Sequence, residues 1–348
     1  MSGRGFGVAY AVTVAGVAGA WWLGGVESAA VVAMLAVLEV ALSFDNAVVN
    51  ATVLRRFNDY WQKVFLSVGI LVAVLGMRLL IPTLVLVAAT RRDPVAVVRS
   101  SFDDPAGYRQ QILKVQPLIA AFGGVFLLMI FLGFLLDGDR ERTWLTWIEN
   151  RTARLARFGS RTLTLAQVAV VAGFLAVAAS TFGRDHRLGV PFAGVIGLVS
   201  YLAVRYLSAA AEGRSQVLAS DRGQAAPTGR RALMLFCYLE LLDASFSFDS
   251  VMGGFSVTVN IALFAIGLGI GTAYVRCLTV YLVRRKALDR YVYLEHGAYY
   301  SIGVLAVLLL VEIGRDIPDW FASLAGTAMI AAAFLHSVAV RRRRDHRV

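Results

Sequence analysis

The sequence predicts an all-α polytopic membrane protein of about ten transmembrane helices, arranged as two inverted-topology repeats around a midplane acidic site. Three observations carry this expectation. Of 348 residues, 58% are hydrophobic and only 16% charged, against roughly 45–50% and about 25% in ordinary soluble domains; the mean hydropathy is +0.67. Ten apolar stretches, near 6–25, 28–54, 64–90, 116–136, 164–182, 189–209, 232–258, 260–283, 292–313 and 320–340, approach the ~20 residues that a span requires. An acidic motif occurs twice inside these stretches, at Leu38–Asn46 and Leu242–Ser250, offset by 204 residues.

Taken in order, residues 1–27 form an extra N-terminal helix. Arg4, an apolar run and Ala18-Gly19-Ala20 have the layout of a signal peptide, and the segment is read as an uncleaved first helix. Residues 28–182 make the first repeat half. Within it, 91–115 is expected to be the longest outer loop, with Asp93, Asp103, Asp104 and separated prolines. The arginine-rich stretch 137–163 suits an amphipathic interfacial helix around Trp144 to Phe158. Residues 183–231 supply a connecting helix and a polar linker, 232–340 the second half, and 341–348 a basic tail that anchors topology.

The net charge of +11 raises the question of nucleic acid, but its distribution answers it. One side of the membrane, with both termini and loops 55–63, 137–163, 210–231 and 284–291, holds 23 Lys and Arg; the other side holds 8. Positive residues stay cytoplasmic, so both termini are expected inside a bacterial cytoplasmic membrane. Cys237 and Cys277 lie in apolar segments and imply no disulfide framework. No nucleotide-binding glycine motif, H-E-x-x-H, zinc-spaced cysteine pair or G-x-S-x-G elbow occurs, so the chain does not read as an enzyme.

Each motif copy has an acid, five residues, then the aspartate of Ser-Phe-Asp: Glu39 with Asp45-Asn46, and Asp243 with Asp249-Ser250. A carboxylate in hydrocarbon is costly and marks function by default. Five spans separate the copies, an odd number, so their helices run in opposite directions, as in transporters built from inverted repeats. The parallel extends to Arg78 and Arg276, one span further on in each half. Glu39, Ser43, Asn46 and Asn50 share one helix face, as do Glu240, Asp243, Ser247 and Ser250. Asp45 and Asp249 sit ~100° round from that face, on the flank of the cavity or where the helix unwinds. Packing alone also explains such polar groups, but their duplication favours a site. Carboxylate and amide oxygens without thiols suit hard divalent cations such as manganese, magnesium and calcium, and exchange against protons is chemically natural for buried carboxylates.

These residues resemble the TerC family of integral membrane proteins, within the LysE-type transporter superfamily, and in particular an actinobacterial-type branch long labelled only as a domain of unknown function. The resemblance rests on Glu39-x5-Asp45-Asn46, on Glu240-x-x-Asp243-x-x-x-Ser247-x-Asp249-Ser250 and on the two arginines. It covers spans two to four and seven to nine. It implies manganese efflux, with metal binding by Glu39, Asp45, Asn46, Glu240, Asp243 and Asp249, and an association with tellurite resistance in some relatives. Ser43, Arg78, Ser247, Ser250, Arg276 and Glu295 are supporting candidates. Many family members carry a lysine where this chain reads Leu294-Glu295-His296-Gly297, which bears on coupling and ion choice. No permanently bound cofactor is expected, only a transported divalent cation. Expected partners are membrane lipid and the metal ion, with a homo-oligomer as a further candidate. A second function class is a metallation partner that delivers metal to exported metalloenzymes alongside the secretion machinery.

Overall fold

In the computed structural model, described for residues 2–137, 143–156, 167–173, 189–212, 227, 229–315 and 317–345, every regular element is helical. Helices α1 (Ser2–Leu42), α2 (Phe44–Leu54), α3 (Asp59–Leu66) and α4 (Val68–Leu71) lead into a π-helix (Val72–Leu80) and α5 (Ile81–Thr90). Next come α6 (Pro94–Asp103), α7 (Pro105–Leu135), α8 (Thr146–Ala156) and α9 (Gly189–Glu212). The remainder comprises α10 (Gly229–Val257), α11 (Ile261–Arg284), α12 (Ala287–Arg290), α13 (Leu294–Glu312) and α14 (Asp319–Asp345). Seven stretches among the described residues are long and apolar enough to cross a membrane: Phe6–Leu42, Asp59–Thr90, Pro105–Leu135, Gly189–Tyr206, Ile261–Arg284, Leu294–Glu312 and Phe321–Arg343. The chain is thus an all-helical polytopic membrane protein. The expected span at 164–182 and the linker at 212–229 lie largely outside the described residues.

Local chemistry explains the helix starts. The Asn58 side chain accepts the Trp61 amide at 3.0 Å, and Asn260 accepts those of Ala262 and Leu263 at 3.0 and 3.2 Å. Asp93-Pro94 and Asp104-Pro105 each place a capping aspartate before a proline at the first helical position. Those two signals correct the expectation of a long outer loop at 91–115. The prolines open helices instead of breaking them, and α7 starts at Pro105, eleven residues before the predicted span.

The first stretch turns back on itself. Gly24 and Gly25 leave the helical region, and Gly25 has φ 71°, ψ −161°, a conformation essentially confined to glycine. Before the turn, Phe6 meets Tyr281, Thr13 bonds the Tyr274 hydroxyl at 3.2 Å, and Gly16 faces Ile270. After it, Leu35 faces Gly267 and Glu39 faces Gly271. The two arms therefore run in opposite directions along α11. Gly267 and Gly271 stand one turn apart, and a side chain at either would collide with α1; small residues at this spacing let membrane helices approach closely.

Contacts along α10 fix its direction. Phe255 lies near Leu35, Asp243 bonds Asn46, and Phe236 meets Trp61 with ring centroids 5.6 Å apart. The two acid-bearing helices are antiparallel. Around α10, the main core joins Phe126, Ile130, Leu239, Leu242, Leu309 and Leu54. Cys237 is exposed and Cys277 buried, both as free thiols.

Gly25→Ala is expected to lower stability by about 1–3 kcal/mol, seen as a lower melting temperature in detergent. Gly19→Ala, where an added methyl meets nothing within 4 Å, is the neutral control.

Candidate functional site

The two motif copies treat their serines differently. Ser247 in α10 bonds back to the Asp243 carbonyl at 2.6 Å, a bond that keeps the hydroxyl within its own helix. Ser43 instead donates to Glu39 Oε1 at 3.0 Å and leaves helical geometry at φ −108°, ψ 16°. The first motif helix therefore breaks between α1 and α2, while α10 continues through Ser-Phe-Asp.

Two arginines organise the acids. Arg276 is 1% exposed and grips Glu240 through two parallel bonds of 2.9 Å, the bidentate arrangement that suits a planar guanidinium. Its Nη2 also donates to Asp243 Oδ2 at 3.0 Å, and its Nη1 to the Phe65 carbonyl at 3.1 Å. The Phe65 ring lies 4.2 Å from the guanidinium carbon. Arg78, on the π-helix, pairs with Glu39 Oε1 and donates to the Ala73 carbonyl at 3.3 Å. Glu39 also lies against Gly271 of α11, the helix that carries Arg276, so the two ion-paired groups adjoin along α11.

On the same face, Asn46 and Asn50 both donate to Asp243 Oδ1, at 2.6 and 3.2 Å. An acceptor-only carboxylate fixes both amides with nitrogen inward. Their carbonyl oxygens, together with Glu39 Oε2, are buried with no donor among the described groups; the Nε of each arginine is also unmatched. If fully ionised, three carboxylates and two guanidiniums leave one net negative charge.

The other predicted residues lie elsewhere. Asp45 turns toward α13 and α14, where Ser301 donates to it at 3.3 Å. Ser250 bonds the Ser247 carbonyl at 2.8 Å. Glu295 pairs with Arg55 at 2.6 Å, half-exposed and away from the cluster. His296 Nε2 stands 3.9 Å from Glu149, a buried carboxylate that also accepts the Tyr300 hydroxyl at 3.0 Å. The Asp249 side chain lies outside the described residues. Among the described residues no three of His, Cys, Asp and Glu converge as a preformed metal cage. Sequence reasoning missed Ser301 and Gly326 beside Asp45 and Ser323 at the helix break, since isolated small residues in apolar helices carry almost no signal.

A family model described as "Protein of unknown function (DUF475)" matches residues 44–344, so the chain belongs to that family. The match begins directly after the helix break and leaves out Glu39. No curated protein and no solved structure matches.

Arg276→Gln is expected to strand two buried carboxylates and cost about 3–5 kcal/mol. Thermal unfolding in detergent reads this, and adding Glu240→Gln should recover part of the loss.

Proposed function

We propose that this DUF475 family member transports a hard divalent cation across the bacterial cytoplasmic membrane. Manganese outward is the first candidate, with both termini on the cytoplasmic side. One observation carries the reading. Among the described residues, buried oxygens of Glu39, Asn46 and Asn50 have no donor, beside carboxylates that outnumber their arginines. Each unmatched acceptor costs about 1–3 kcal/mol, and a cation is the ligand that relieves several at once. The asparagines cannot relieve it by flipping, because that would point oxygen at the Asp243 carboxylate. Oxygen-only donors favour manganese, magnesium or calcium over copper or zinc, and the TerC resemblance points to manganese among these.

Symmetry supports the same reading. Glu39 with Arg78 and Asp243 with Arg276 sit at offsets of 204 and 198 residues on antiparallel motif helices. We take them as counterparts in two inverted halves, with the site near the midplane between them. An entering cation competes with each guanidinium for the same carboxylate oxygens. Release of an arginine frees the helix it holds, and recapture of the carboxylate expels the cation. Alternation between the two pairs would open the site first to one side and then to the other.

Reconstituted vesicles test this. Wild-type protein should carry manganese faster than zinc, and Asp243→Asn should slow flux by about 100-fold or more, as expected when ~2.7 kcal/mol of ion stabilisation is lost. Flux at the wild-type rate from a well-folded Asp243→Asn variant would sink the proposal.

A further inference from the structure

Asp45 is 2% exposed, yet no Lys, Arg or His among the described residues lies within ion-pair distance of it. Its Oδ1 accepts the Asn46 amide at 2.9 Å, and its Oδ2 accepts the Ser301 hydroxyl at 3.3 Å. The N-terminus of α2 offers this carboxylate a partial positive charge, which falls well short of the cost of burying a whole one.

The surroundings are rich in further oxygen. Where the chain breaks at Ser43, the carbonyls of Ala41 and Leu42 accept the Ser323 hydroxyl at 3.3 and 3.1 Å. Ser323 and Gly326 stand three residues apart, on one face of α14. Gly326 lies against Asp45 and Ser301; a methyl there would collide with Asp45 Oδ2 and reach Ser301 Oγ at 2.7 Å. Asp45 and Ser301 therefore lie at Gly326 of α14, and Ser323 with the Ala41 and Leu42 carbonyls lies one helix turn away along it. The serine contacts are longer than the usual ~2.7–2.8 Å for O–H···O, so these oxygens are loosely engaged. Each hydroxyl also keeps lone pairs for a cation.

We propose that the oxygens of Asp45, Ser301 and Ser323 at this helix break bind a sodium ion. A single carboxylate among neutral oxygens balances one positive charge, whereas a divalent ion would leave charge uncompensated in a dry interior. Carbonyls at interrupted membrane helices commonly hold monovalent cations. These oxygens are distinct from the arginine-paired cluster, and the proposal stands independently of the divalent reading. Since Asn46 is adjacent to Asp45 and bonds Asp243, α2 links the two sites and makes sodium a candidate coupling ion.

The test is melting of the detergent-purified full chain at constant pH and ionic strength, with choline replaced by sodium or potassium. Sodium should raise the melting temperature saturably, above potassium or choline. Ser301→Ala and Ser323→Ala should each raise the half-saturating concentration by about tenfold, the equivalent of ~1.4 kcal/mol, and Asp45→Asn should abolish the response. Stabilisation by manganese in choline should survive in both serine variants. Equal responses to sodium, potassium and choline would overturn the proposal. So would a sodium response unchanged in both serine variants, or an Asp45-dependent response to acid with none to sodium, which would make the carboxylate a proton carrier. A sodium response without any manganese response would remove the divalent reading and leave this one intact.

Discussion

Glu39, Arg78, Glu240, Asp243 and Arg276, each no more than 3% exposed, pair with one another in the interior of this protein, and their neutralisation constrains everything around them. A buried ion pair seldom adds net stability, but breaking one is expensive. The guanidinium of Arg276 must therefore reach Glu240, Asp243 and the Phe65 carbonyl together, which ties α3, α10 and α11 into one arrangement. Arg78 ties the π-helix to α1 through Glu39 in the same way. Even the glycines on α11 answer to this constraint, because a side chain at Gly271 would displace Glu39.

The charge pairing is shared by the two motif copies, but the backbone is not. Ser247 satisfies its hydroxyl on its own helix, and α10 runs on unbroken. Ser43 spends its hydroxyl on Glu39, and the chain turns out of helical geometry there. Ser323 then meets the carbonyls beside the break, and Asp45 faces Ser301 and Gly326 across it. Similar residues at equal offsets thus lie on a continuous helix in the second motif copy and at a helix break in the first. In the proposed mechanism the two motif copies therefore take distinct chemical roles.

Much of the plan was legible from composition and spacing. Apolar runs located the helices, because hydrocarbon leaves a backbone few ways to satisfy its amides. The costly acids and arginines were legible as well: Arg78 takes Glu39, and Arg276 takes Glu240 and Asp243 beside Asn46 and Asn50, whereas Asp45, expected with them, faces Ser301. Glu295 was less legible. Its distance from the cluster follows from its pairing with Arg55, a contact between segments 240 residues apart. The Asp-Pro pairs at 93–94 and 104–105 were local signals for helix starts, outweighed in the reading by the usual association of proline with loops.

By itself, the sequence determined that the chain is helical, that it is apolar enough to enter a membrane, and which buried charges demand partners. Those properties depend on residue type and local periodicity. Only the tertiary structure decided which arginine takes which acid, that Asp45 faces α13 and α14 instead of Asp243, and that the first stretch folds back along α11. Those outcomes depend on helices distant in the chain competing for the same oxygens. The winner is set by reach and close packing in three dimensions, which spacing along one helix does not encode.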